Sequence, residues 1–205
     1  MFFSKRPKHS YKFVILIFRK IKKTNVLITL KIVLTTGNTE GTDNIMRTIL
    51  EEGDTLFVEE IVYPSILSTA ENYHLNLVGI RMDEEGIIPE ELEKACIKSI
   101  ETNNPIKMLF SVPSGQNPTG RTTGIERKSE IYKIARKYNF LLVEDDPYYF
   151  LQYPSPDPEK EITVEDMPGL ISNQSYLNID YDGRVLRLDT FSKIVAPGFY
   201  FFLFS

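Results

Sequence analysis

Cysteine is nearly missing from this chain of 205 residues, where Cys96 stands alone. One thiol cannot build a disulfide framework or a cysteine-based zinc site, and it fits a reducing, cytoplasmic setting. Histidine is almost as scarce. His9 and His74 have no partner at ligand-like spacing, so no metal site is expected. A basic excess is lacking too. The chain has 24 Lys and Arg against 28 Asp and Glu, a formal charge of -4. That balance excludes the basic footprint of a nucleic-acid binder. No membrane partner is expected either. The apolar run from Phe13 to Phe18 falls far short of the roughly 20 residues that span a bilayer. The first thirty residues contain no Asp, Glu or Gly. They lack the long apolar region and small-residue cleavage site of a secretory signal. Their lack of acids admits a mitochondrial presequence, but arginines are few. Residues 1–29 are read as a poorly ordered leader. No segment repeats another.

What is present suits one α/β domain. An apolar fraction of 42% can fill a sizeable core. Ile28, Leu30, Ile32 and Leu34 alternate, which predicts a strand over 28–36. A helix is expected over 40–52, with Ile45, Met46, Ile49 and Leu50 on one face and Gly53 as a left-handed cap. Strands are expected at 55–59, 75–80, 107–112, 140–144 and 185–189. Helices should fill 61–73, 89–101 and the stretch after Thr123. Pro89 suits a first helical turn. Thr123 and Glu126 have the spacing of a capping box. Cys96 joins Leu92, Ala95 and Ile100 on one helical face. Residues 151–182 are rich in Pro, Asp and Glu and read as a surface excursion. Strands alternating with helices imply right-handed crossovers and a mostly parallel sheet, helices on both faces. Such sheets bind ligands beyond the carboxyl ends of their strands.

Four stretches sit at such ends. They are TTGNTEGTDNIMR at 35–47, PSGQNPTG at 113–120, VEDDPYYFLQY at 143–153 and RLDTFSKIVAPG at 187–198. Together they bring an amide, carboxylates, phenols and an amine to one crevice. In this order they resemble the class I and II aminotransferases of fold type I, which use pyridoxal phosphate. The wording Glu-Asp-Asp-Pro-Tyr-Tyr-Phe-Leu-Gln is most similar to the fungal aromatic-amino-acid and the aminoadipate/kynurenine enzymes. The resemblance runs from about Ile32 to Gly198. It implies a three-layer α/β/α large domain over residues 30–205.

The resemblance also implies roles. Lys193 matches the Schiff-base lysine that shuttles a proton at the substrate α-carbon. Asp146 matches the carboxylate facing the pyridine nitrogen. Periodicity alone leaves Glu144 and Asp146 on one face, and the Asp-Pro-Tyr-Tyr wording selects Asp146. Asn117 and Tyr149 match the donors to the cofactor's phenolic oxygen. Asn117 equally suits the turn before Pro118. Asn38 and Thr39 fall at the helix N-terminus that holds the phosphate, although Glu40 in the same turn is awkward for an anion. Thr190 adds a hydroxyl to the phosphate, and Tyr63 stacks on the ring. The expected partners are an amino acid, a 2-oxo acid and a second subunit in a homodimer.

The pattern then breaks. Tyr200 stands where the family has an arginine that clamps the phosphate, and a phenol cannot replace its bidentate charged contact. The apolar tail from Phe199 to Phe204 reads as a shifted frame and an aggregation hazard. A chain truncated at both ends and inactive is therefore expected. A non-catalytic cofactor-binding sensor domain or a gene remnant is the alternative.

Overall fold

The computed structural model describes residues 32–152 and 174–195, with the backbone of three short strands at 21–23, 26–28 and 202–204. Tyr200, most of the leader and residues 153–173 of the expected surface excursion lie outside the described residues.

Two short strands, β1 (Ile21–Lys23) and β2 (Val26–Ile28), pair antiparallel. Then come α1 (Asn38–Ile49), β3 (Thr55–Glu59), α2 (Pro64–Asn72) and β4 (Asn76–Ile80). A small hairpin follows, β5 (Met82–Asp83) and β6 (Gly86–Ile87), and leads into α3 (Pro89–Glu101). The chain continues through β7 (Met108–Ser111), α4 (Ile125–Tyr138), β8 (Leu141–Asp145), α5 (Tyr176–Ile179), β9 (Val185–Thr190) and β10 (Phe202–Phe204). The main sheet has the order β10-β9-β8-β7-β3-β4. All its neighbours are parallel except β10, which runs antiparallel to β9.

The central strands are apolar because both their faces are covered. All five residues of β3 and all four of β7 are buried, as expected for a parallel strand between helical layers. On one face α1 and α2 press Ile45, Met46, Ile66 and Ala70 against Leu56, Val58 and Phe110. On the other, α3, α4 and α5 bring Leu92, Cys96, Ile131, Ala135 and Tyr176 onto Phe57, Leu109 and Leu142. The result is a three-layer α/β/α unit.

Helix ends follow simple rules. α3 begins on Pro89, carries Glu90 and Glu91 in its first turn and Lys98 in its last, so its charges oppose its dipole. α4 stops at Asn139 in the left-handed region, whose N–H bonds to the Ala135 carbonyl.

Several expectations need correction. Residues 32–36 are not a strand, and the extended pairing there ends at Ile28. The capping box at Thr123 does not form. The N-cap is Gly124, and no side chain caps it. Thr123 instead packs against Gly86 of the β5–β6 hairpin, where any Cβ would collide with its hydroxyl. Gly53 does take a positive φ of 83°, but α1 has already ended at Ile49. Within 151–182 the chain forms α5, with Ser175 as its N-cap. Phe202–Phe204 pairs its backbone with Leu188–Thr190, which gives part of the apolar tail a place in the sheet. Cys96 and Leu92 are fully buried, whereas Ile100 is 55% exposed and off their face.

That last contrast makes a direct test of how α3 sits. Leu92→Ala should lower unfolding free energy by about 2–5 kcal/mol, through lost burial and a residual cavity. Ile100→Ala should change it by less than about 1 kcal/mol. Denaturant titration of the two variants distinguishes the faces.

Candidate functional site

β3 has β4 on one side and β7 on the other, so the chain reverses direction across the sheet there. A crevice opens at such a switch point, beyond the carboxyl ends of the strands. Here it is a cleft of about 270 Å³, just under the range of about 300–1,000 Å³ usual for small-molecule sites. Its walls come from five segments. The turn into α1 gives Thr36, Gly37, Asn38 and Thr39. The β3–α2 loop gives Tyr63, the loop after β7 gives Asn117, and the end of β8 gives Asp145 and Tyr148. The end of β9 gives Thr190, Ser192 and Lys193.

Each wall has a local cause. Gly37 holds φ at 125°, a region that side chains avoid, and so turns the chain sharply into α1. No side chain caps this helix, which leaves first-turn N–H groups and the positive dipole end beside the cleft. Glu40 folds back onto Thr36, bonding its N–H and hydroxyl. Those bonds hold its carboxyl below the usual range, and Glu40 does not line the cleft. Its awkward charge is thereby turned aside. At the end of β9, the Thr190 hydroxyl donates to Ser192 Oγ at 2.9 Å and accepts from Ser192 N at 3.0 Å. That small turn sets Lys193 at the rim.

Among the residues expected from sequence, Asn38, Thr39, Tyr63, Asn117, Thr190 and Lys193 come together in the cleft. Asp146 and Tyr149 do not. β8 alternates, so Asp145 takes the crevice face while Glu144 and Asp146 take the other. Asp146 bonds Arg187 Nη1 at 3.0 Å. Tyr149 lies against the same guanidinium, whose Cζ is 4.3 Å from its ring centroid. The residues in their places at the cleft are Asp145 and Tyr148. The signal that finds them is Val143. It shares Asp145's face and packs in the layer under α1, the helix whose N-terminus borders the cleft.

Asp145 is an unusual acid. Asn38 Nδ2 donates to its Oδ1 at 2.5 Å. Burial pushes its carboxyl up to about 6, against the pull of the Asn38 bond. Among the described residues the buried Oδ1 of Asn38 has no hydrogen-bond partner. On the opposite face burial and the Glu144 charge raise Asp146, while Arg187 opposes them. Burial works against the charge of Arg187, but Glu144, Asp189 and Asp146 keep it firmly protonated.

Residues 12–196 match the family model for aminotransferase class I and II. The chain belongs to that family. It is 39% identical over 172 residues to the mitochondrial kynurenine/alpha-aminoadipate aminotransferase of Mus musculus, covering 80% of this chain and 37% of the mouse protein. An aromatic amino acid aminotransferase of Schizosaccharomyces pombe is 38% identical over 177 residues, covering 82% and 37%. Among solved structures, the aminotransferase Aro8 of Candida albicans superposes with a TM-score of 0.78 at 39% identity, covering 85% of this chain and 37% of that one. A kynurenine aminotransferase of Pyrococcus horikoshii, solved with PMP, superposes at 0.74 with 32% identity, covering 85% and 39%. The chain thus spans about 37% of the length of the curated relatives it matches.

Aminotransferases of this family depend on pyridoxal phosphate, and the cleft has the donor set that group requires. The uncapped α1 terminus, Thr190 and Ser192 suit an anion. Asp145 suits a ring nitrogen that carries a proton, Asn117 and Tyr148 suit a phenolic oxygen, and Tyr63 offers a flat face. Lys193 supplies the amine. The partnerless Asn38 oxygen is one more polar group the cleft leaves for a ligand.

The buried acid gives a prediction for the cofactor-free chain. Asp145→Asn keeps an acceptor for Asn38 and removes the charge. The parent's folded-state pKa is raised to about 6, so its stability falls as pH rises from the unfolded carboxylate value through 6. At pH about 8 the variant should be the more stable, by on the order of 2 kcal/mol, and below pH about 4 that gap should close. Thermal melts across pH read it.

Proposed function

We propose that this cleft binds pyridoxal phosphate and serves amino-group transfer between an amino acid and a 2-oxo acid. The proposed amino acids are aromatic ones, kynurenine or 2-aminoadipate. One observation carries the reading: Asp145, Asn117, Tyr148, Tyr63 and Lys193 line one small cleft that also abuts the N-terminus of α1.

When bound, the cofactor supplies an electron sink for charge that develops at the substrate α-carbon. The chain's own residues do the rest. Lys193 would hold the cofactor through its amine and would take and return the proton at the substrate α-carbon. Asp145 keeps a proton on the ring nitrogen. Its carboxylate is costly to bury alone, and a cationic partner there lowers that cost. Asn38 orients Asp145. Asn117 and Tyr148 would hydrogen-bond the phenolic oxygen. Tyr63 would offer its ring to the cofactor's flat face and limit water there. First-turn N–H groups of α1, with Thr39, Thr190 and Ser192, hold the phosphate.

Residues 30–205 are proposed as the cofactor-binding large domain. By likeness to its relatives the working enzyme is proposed to be a homodimer. Cofactor binding is the property these residues carry directly, and turnover by this chain alone is proposed to be negligible.

The experiment is absorbance. Chain mixed with pyridoxal phosphate should develop the near-visible band of lysine-bound cofactor, and Lys193→Ala should abolish it. Asn117→Ala and Tyr148→Phe should each weaken binding about tenfold, the worth of one hydrogen bond in a dry site. Asp145→Asn should alter the band and its pH dependence more than Asp146→Asn does. Bleaching by tyrosine, phenylalanine, kynurenine or 2-aminoadipate then ranks the amino donors. A band that survives Lys193→Ala, or no band in the parent, sinks the proposal.

A further inference from the structure

Two walls of the cleft belong to different loops, and a buried acid lies between those loops. Glu59 ends β3 and is 2% exposed. Its side chain shares a face with Phe57, on the side of the sheet away from the cleft. Its Oε1 accepts from Ser111 Oγ at 2.7 Å and from Val112 N at 3.1 Å. Its Oε2 accepts from Gln116 Nε2 at 2.9 Å.

Gln116, also 2% exposed, uses every polar atom it has. Nε2 donates a second time, to the Ile61 carbonyl at 2.6 Å. Oε1 accepts from Thr119 N at 2.9 Å and from Thr119 Oγ1 at 2.6 Å. Its backbone N–H bonds Arg121 O at 2.8 Å, and its carbonyl accepts from Gly120 N at 2.5 Å. The amide has one workable orientation. Turned over, its oxygen would face Glu59 and the Ile61 carbonyl, and its NH2 would face the Thr119 N–H.

Gln116 precedes Asn117, and the Ile61 carbonyl lies two residues before Tyr63. One amide therefore ties the loop that carries Asn117 to the loop that carries Tyr63, and Glu59 fixes that amide to the sheet. A buried carboxylate here costs stability that an apolar residue would not. The three donors it gathers are spent on the geometry of the two loops.

We propose that Glu59 and Gln116 are positioning residues, a buried strut that couples the Tyr63 and Asn117 walls of the cleft. Neither touches the cleft. In its consequence for cofactor binding the proposal rests on the function proposed above, and in its mechanical part it does not.

The test uses Glu59→Gln, Gln116→Leu and a control, Ser111→Ala, in the whole chain. Whatever way the new amide in Glu59→Gln faces, one of its N–H groups meets a donor, Gln116 Nε2 or Val112 N. Ser111→Ala removes one bond to Glu59 and leaves the Gln116 link whole. Hydrogen exchange without cofactor should show amides in 116–121 and 61–66 exchanging about tenfold faster in Glu59→Gln and Gln116→Leu. Amides of β8 and α4 should not move. In Ser111→Ala both loops should keep their protection, even if the melting temperature falls. Pyridoxal phosphate affinity should drop about tenfold in the first two variants, with the same band at saturation, and less than about twofold in the control. Only one loop loosening, or uniform loosening in all three variants, overturns the strut. A parent that binds no pyridoxal phosphate while both loops loosen together overturns the proposed function and supports the strut.

Discussion

Side chains alternate across a β-strand, and at the end of β8 that rule sorts three successive acids onto two faces. Glu144 and Asp146 point to the helical layer of α4 and α5, and Asp145 to the layer of α1. The register is pinned on both sides, with Glu144 opposite Ser111 of β7 and Arg187 of β9. A slip of one residue would exchange the faces. It would put two charges in the cleft where the structure holds one, and one against the cations where it holds two. Almost everything in the site follows from this register. Three carboxylates within one turn of chain are tolerable because each face has its own compensation. Arg187 lies 3.0 Å from Asp146, 3.3 Å from Glu144 and 2.8 Å from Asp189. Glu144 also accepts from the Ser175 hydroxyl and from Tyr176 N. Among the described residues Asp145 has only the Asn38 amide for a side-chain partner, and it stays partly open to the cleft. The far face is balanced by protein. The near face is left in want of a cation.

The other half of the site is an unfinished helix end. α1 begins without a side-chain cap, so its N–H groups are donors in search of an acceptor. A wholly structural turn would satisfy them with a Ser or Asp at the N-cap. Here Gly37 occupies that place, and the one acid in the first turn, Glu40, has bent back to Thr36. A cleft that lacks a cation at one end and an anion at the other fits a zwitterionic ring bearing a phosphate. Neither end alone would say so. Helix termini and raised carboxyls are both common, and the argument rests on finding them across one cleft from Lys193.

Much of this was legible in the residues. The strands at 55–59 and 75–80 and the helix at 89–101 follow from apolar runs and helix-end chemistry, and the structure keeps them within a residue. Six of the eight expected site residues line the cleft, because loops at strand ends must converge in a parallel sheet with a switch point. What could not be read was the face. Alternation says that Asp145 and Asp146 part, but only the packing of α1 over Val143 decides which of them meets the cleft. Tyr148 and Tyr149 follow, since their places are set from the same strand end. The capping box failed for a related reason. Thr123 and Glu126 had the right spacing, but the β5–β6 hairpin, whose two-residue strands carry almost no periodic signal, had a tertiary claim on Thr123. The stretch at 28–36 alternates without pairing over 32–36, because alternation describes a surface and not a partner.

The polar groups behind the sheet explain why so small a cleft can be well defined. Glu59, Ser111 and Glu144 sit at or beside the carboxyl ends of three adjacent strands, and Arg187 lies opposite Glu144 on the fourth, all on the face away from the cleft and all buried. An apolar layer there would bury more surface at less cost, but it would hold the loops beyond the strands only by packing, which tolerates sliding. Hydrogen bonds to buried charges do not. Each is lost almost entirely when its geometry fails, and leaves an unsatisfied charge behind. Loops tethered this way have one low-energy arrangement. The cleft side is then free to carry residues chosen for chemistry, including an acid that is unfavourable where it stands, because the positions of the walls are settled from behind.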